Sequence, residues 1–252
     1  MRSFVAGFQG RHEGERDDPE GTLNMKIHNP FIAALGPEIQ YWTAMSRSFD
    51  SSLGNMLETL AISLAELSFE VRRAVEGPVS KEQRERIAEL LEEYKNRTKT
   101  PKVGDYRKLR SMRPAAGVGT KRHESDYYLI DREKGLHTLI ELKIGGDLDN
   151  KKARSEKEAL LEQFAILSNS LPKGAPIRIV FATAYNRYGE GKPWRQERVR
   201  QFFADDELLI GGNFWNFVCR LPNGYDLVLA AYRDCVPEIT AALESIRRKY
   251  LG

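Results

Sequence analysis

Two short runs rich in β-branched and aromatic residues, Asp126 to Asp131 and Leu136 to Ile144, flank Arg132-Glu133-Lys134-Gly135. Strand formers on either side of a charged break closed by glycine predict a β-hairpin, the most restrictive geometric signal in the chain. With the turn centred between Glu133 and Lys134, residues equidistant from that point face each other, and Asp126 stands opposite Glu141. Directly paired side chains on one sheet face have Cβ atoms about 4.5–5.5 Å apart. Lys143, two residues beyond Glu141, returns to the same face because side chains alternate along a strand. Tyr128, Ile130, His137 and Leu139 share that face, while Leu129, Ile140, Leu142 and Ile144 form an apolar, core-facing one. A slip of one residue would dissolve the convergence.

Two carboxylates and an ammonium on a hairpin whose other face is buried are costly to desolvate without compensation. A hard divalent cation supplies it, since one or two carboxylates plus waters suit Mg²⁺. Asp126 and Glu141 are therefore candidate metal ligands, with the carbonyl of Leu142 available as a third. Metal-assisted phosphodiester hydrolysis needs an activated water, a neutralised transition state and help for the departing oxygen. Lys143 suits either the water or the charge on the scissile phosphate. The bare pattern of an Asp followed by E-x-K is also what a surface salt bridge would give. The hairpin, the Leu139-Ile140 flank and the Gly145-Gly146 break favour the catalytic arrangement.

Composition agrees without specifying it. The 252 residues are 41% hydrophobic and 30% charged, enough for a buried core. A net charge of +3 is too small to imply a nucleic-acid partner by itself. No apolar run approaches the ~20 residues of a membrane span and no secretory segment opens the chain, so a cytoplasmic protein with no membrane partner is expected. Cys219 and Cys235 suggest plain buried residues, not a metal site.

Residues 1–24 are expected to form a flexible arm, being charged and without an apolar period across Arg11 to Gly21. Residues 25–252 are expected as a single nuclease domain, mainly helical over 25–120 and α/β over 121–252. The spacing of Leu53, Leu57, Leu60, Leu64, Leu67 and Val71 predicts a helical stripe within a helix running from about Glu38 to Val75. Gly77-Pro78 ends it and Ser80 opens a second helix to about Arg97. Lys99 to Gly119 is a long connection. After the hairpin, Ser155-Glu156-Lys157-Glu158 has the form of a capping box in front of Leu160 and Phe164. Ile177 to Thr183 is a core strand, Arg195 to Phe203 helical, Asp226 to Tyr232 a strand and Pro237 to Tyr250 a final helix. The sum is a mixed α/β fold.

Two basic segments are candidate DNA contacts. Asp147, Asp149 and Asn150 follow the Gly-Gly break in a loop placed to touch the substrate, with Asp149 and Asn150 equally readable as turn-shaping, and Lys151 and Lys152 come next and suit backbone phosphates. Asn186, Arg187, Lys192 and Arg195 lie in Tyr185 to Arg195, a stretch of aromatic, glycine and basic residues suited to base edges. That stretch is equally readable as a surface loop anchored by Trp194.

The combination of Ser125-Asp126 with Leu139-Ile140-Glu141-Leu142-Lys143 resembles the PD-(D/E)xK nuclease superfamily, particularly type II restriction endonucleases. Ser125 stands where that motif usually carries Pro. Glu141 to Lys152 is also similar to restriction enzymes of the TdeIII type. The likeness runs over roughly Ser48 to Leu167. It implies a restriction-endonuclease-like core, a mixed β-sheet flanked by helices, with an N-terminal helical elaboration. It implies Asp126 and Glu141 as ligands of Mg²⁺ and Lys143 as the catalytic lysine. Glu58, in Ser48 to Glu58, is implied as a further acidic residue of the site, though an exposed helical glutamate fits it as well. Gln163 reads first as a surface glutamine and second as a neighbour of the site. The implied activity is cleavage of double-stranded DNA at a palindromic site by a homodimer, leaving 5′-phosphate and 3′-hydroxyl ends. A repair or junction-resolving nuclease, or a DNA-binding module that does not cut, stays open as an alternative.

Overall fold

The computed structural model describes every residue except Ala116 and Val118. Its helices are α1 (Arg2–Gly14), α2 (Pro30–Ala33), α3 (Pro37–Ala65), α4 (Lys81–Lys95), α5 (Asn150–Ser170), α6 (Glu197–Arg200), α7 (Gly212–Cys219), α8 (Gly224–Asp234) and α9 (Val236–Leu251). Its strands are β1 (Glu70–Pro78), β2 (Thr120–Asp131), β3 (Leu136–Leu142), β4 (Ile177–Thr183) and β5 (Leu208–Ile210). The chain divides into two compact units, Met1–Leu60 with Asp226–Gly252, and Ala61–Tyr225. None of its helices, over the described residues, is long and apolar enough to cross a membrane.

The Ala61–Tyr225 unit is built on one sheet with strand order β1-β2-β3-β4-β5. β2 runs antiparallel to both of its neighbours, β1 and β3, and β3, β4 and β5 run parallel. The β2–β3 hairpin has the register its sequence predicts: Asp131 pairs with Leu136, Ile130 with His137, Tyr128 with Leu139 and Tyr127 with Ile140. One face packs Tyr128, Leu139, Ile179 and Phe181 against α4 and α5 through Leu90, Leu91, Leu161 and Phe164. The other places Tyr127 edge-on to Phe214 of α7, whose neighbour Trp215 donates its indole N–H to the Ala184 carbonyl at 2.7 Å. Both faces are therefore covered, as a parallel β3–β4–β5 arrangement requires.

The other unit is helical. Phe8 of α1, Tyr41 and Met45 of α3 and Ile246 of α9 form its apolar centre. The mobile arm expected at residues 1–24 is instead largely α1, whose Val5, Phe8 and His12 are buried. Its charged outer residues mask a short apolar stripe that only packing reveals.

Three further expectations are corrected. The helix expected to reach Val75 ends at Ala65, and Val71 belongs to β1. The leucine stripe stays in phase by chance into a β-branched segment that gains a full ladder on β2. Asp226 to Tyr232 is helical, not extended, because a short apolar run has no periodicity that separates strand from helix and Ala230-Ala231 favours the helix. Arg195 to Phe203 contributes only the single turn of α6. By contrast Ser80 caps α4 as expected: its hydroxyl accepts from Gln83 N–H at 3.1 Å and the Gln83 side chain accepts from Ser80 N–H at 3.0 Å. α5 starts earlier than Ser155. Asp149 is its N-cap, accepting from Lys152 N–H at 2.8 Å.

Candidate active site

The site begins with a fault in β2. Arg72 of β1 pairs with Tyr128, but Ala74 pairs with Glu124, so Ser125, Asp126 and Tyr127 together oppose the single residue Arg73. A bulge of this kind bends the strand and re-aims the side chain it carries. The β2–β3 pairing stops at Tyr127–Ile140, and beyond it the Leu142 N–H donates to a carboxylate oxygen of Asp126 at 3.1 Å. Asp126 thus takes over, through its side chain, a ladder position that the bulged backbone has vacated. Gln163 of α5 donates to the Glu124 carbonyl at 3.4 Å and is only 2% exposed, so it is not the surface residue that its sequence position suggests.

Glu141 of β3 and Lys143, just past its end, lie on the side facing α5. The Lys143 ammonium donates to Glu141 at 2.5 Å and lies 3.2 Å from Glu156 of α5. Glu141 is nearly buried, at 8% exposure. Burial, and then the nearby charge of Asp126, push its pKa up to about 8 against the opposing pull of Lys143. Burial works against the charge on Lys143, but Glu141 and Glu156 outweigh it, and its pKa lies above the ordinary lysine value. Asp126, Glu141 and Lys143 therefore share one electrostatic field. Glu156 joins them without any sequence signal, because contact across the β3–α5 connection is a property of how α5 packs.

Past the strand end, Gly146 has φ +63°, and a Cβ there would lie 2.6 Å from Thr183 and 3.2 Å from the Trp194 ring. Only glycine tolerates both the left-handed backbone and that approach. Trp194 itself is buried against Phe181. Asp147 then receives Arg187 at 2.8 Å and Gln196 at 3.0 Å. The two loops proposed for DNA contact are thus tied side by side at the C-terminal end of β3 and β4. Lys151, Lys152, Arg187, Lys192 and Arg195 are exposed there. Asn186 is not: it is buried, donating to the Lys192 carbonyl at 2.7 Å and accepting from Tyr188 N–H at 3.0 Å, so it shapes the loop. Glu58 occupies an exposed position on α3, within the Met1–Leu60 unit. No group of three or more His, Cys, Asp or Glu side chains is assembled to hold a metal ion among the described residues.

A mixed five-stranded sheet covered by helices on both faces, with its acidic cluster at a strand end, has the restriction-endonuclease-like fold. The family model of the HinfI type II restriction endonucleases matches residues 16–235, and the chain belongs to that family. The match adds nothing to the TdeIII likeness. No curated protein and no solved structure matches the chain. The chain is accordingly a restriction endonuclease, a nuclease whose family acts on double-stranded DNA.

Proposed function

We propose that this protein is a type II site-specific deoxyribonuclease of the PD-(D/E)xK kind, hydrolysing double-stranded DNA in a Mg²⁺-dependent reaction. The observation that carries the proposal is the bulge-and-hairpin arrangement that sets Asp126 at Leu142 N–H, beside the Glu141–Lys143 pair. The donor set fits a hard cation. Two carboxylates in one field, one of them buried with its pKa raised, lack sufficient positive charge, and the Leu142 carbonyl adds a neutral oxygen. A set of two carboxylates and one carbonyl leaves the remaining positions to water, consistent with Mg²⁺, which keeps several of its waters.

Asp126, Glu141 and the Leu142 carbonyl would hold the ion, which when bound supplies Lewis acidity and a more acidic water. Asp126 is pre-oriented by the Leu142 N–H, so little reorganisation is left for binding. Lys143, paired with Glu141 and Glu156, acts as a positive donor toward the attacking water and the scissile phosphate. Lys151, Lys152, Arg187, Lys192 and Arg195 bind the duplex, while Asn186 supports their loop. Glu58 is retained as a further acidic candidate. The products are 5′-phosphate and 3′-hydroxyl ends at a palindromic site, cut by a homodimer whose twofold axis matches that of the DNA.

The test is an end-sequenced digest of plasmid and phage DNA with Mg²⁺. Discrete fragments with 5′-phosphate ends at one repeated sequence are expected, and structure-dependent nicking would replace restriction with the junction-resolving reading. Lys143→Ala and Asp126→Asn are expected to slow single-turnover cleavage by about 10²–10⁴-fold with duplex binding in Ca²⁺ largely kept. Cleavage by both variants at the wild-type rate would remove these residues from the site.

A further inference from the structure

The C-terminal end of α5 and the start of β4 border a second polar feature, at the opposite pole of the sheet from Glu141. Glu156, which meets Lys143, and Ser168 are separated along α5 by about 18 Å of helix. Here a cavity of about 630 Å³ is lined by Arg107, Arg110, Arg113 and Lys173, with Ser168 in its wall. Its lining includes no carboxylate among the described residues, and none of the four cations is engaged in an ion pair. Arg110 is already fixed. Its guanidinium lies over the Phe164 ring at 5.2 Å and donates to the Ala175 carbonyl at 2.9 Å, which leaves its remaining N–H groups oriented. Ser168 is 93% buried (7% exposed), yet its hydroxyl has no hydrogen-bond partner.

We infer that this cavity is a second binding site, for the phosphate group of a nucleotide unit. Four uncompensated cations select a multiply charged oxyanion, and arginine forks match phosphate oxygens in pairs. Leu171, Pro172 and Ile177 give the cavity apolar walls that would receive the nucleoside part. A cavity of this volume accommodates a small ligand. The phosphate comes from a free nucleotide or from the backbone of a DNA strand that approaches this pole.

Titration calorimetry on the full chain in EDTA, at fixed ionic strength, tests it with inorganic phosphate, dAMP and a short duplex. Saturable binding of phosphate and dAMP is expected, weakened about tenfold or more in the Arg107→Ala/Arg113→Ala/Lys173→Ala variant and retained in Lys143→Ala. A duplex that displaces dAMP assigns the site to DNA backbone; one that does not assigns it to free nucleotide. The exposed triple variant is checked for an unaltered melt. Absence of saturable binding by either small anion, or equal binding by the folded triple variant, would overturn the inference. Because the assay needs neither metal nor cleavage, its failure is separate from failure of the proposed active site.

Discussion

At the scale of single residues, the most consequential group is Glu141. Its carboxyl has a pKa of about 8 in the fold, raised by burial and by Asp126 above the usual glutamate value. The folded chain therefore holds a proton that the unfolded chain has lost, and stability contributed at this position falls as pH rises between the two values. In EDTA, Glu141→Gln is expected to melt higher than wild type near pH 8, with the gap closing toward pH 5. Mg²⁺ is expected to raise the wild-type melting temperature most at the upper end of that range, and a pH-independent difference would contradict the assignment. A second residue-scale test concerns a buried pair unrelated to catalysis. Lys157 donates to both Glu207 oxygens at 2.6 and 2.7 Å, while Tyr106 and the Ala204 N–H complete the carboxylate. Lys157→Ala leaves Glu207 charged and buried, and urea unfolding is expected to show a loss of about 3–5 kcal/mol.

At the scale of elements, the β2–β3 hairpin and the loop behind it divide the work. The hairpin supplies the alternation along β3, and its register was legible because turn centre and strand period leave little freedom. The bulge at Ser125 to Tyr127 was not legible, since it arises from pairing with β1, a strand whose residues continue the phase of the leucine stripe. Gly146 joins the end of β3 to the loop in which Asp147 holds Arg187 and Gln196. Gly146→Ala is expected to cost about 1–2 kcal/mol for the left-handed backbone alone. It should also shift the Trp194 contact, read as a changed tryptophan emission together with reduced cleavage. Wild-type emission and activity in this variant would show that the loop does not depend on that approach.

At the scale of the whole molecule, family membership spans residues 16–235, beyond the roughly Ser48 to Leu167 stretch that carries the motif resemblance. Twofold recognition of a palindrome requires two copies of the site. Sedimentation equilibrium is expected to give twice the 28.7 kDa chain mass, alone or on duplex DNA. A single copy on cleavable duplex would exclude a homodimer as the cutting species.

The sequence by itself determined the local arrangement at the end of β3. The period of two places Glu141 and Lys143 on one face, the turn sets the β2–β3 register as far as Tyr127–Ile140, and the Gly-Gly pair follows the strand end. These follow from local covalent geometry, which a short stretch of residues specifies. Tertiary structure alone decided the bulge that presents Asp126, the burial that raises Glu141, and the contact of Glu156 with Lys143. It also decided that Asn186 turns inward and that residues 2–14 form a packed helix. Each of these depends on which distant segment arrives as a neighbour, and neither spacing nor propensity encodes that.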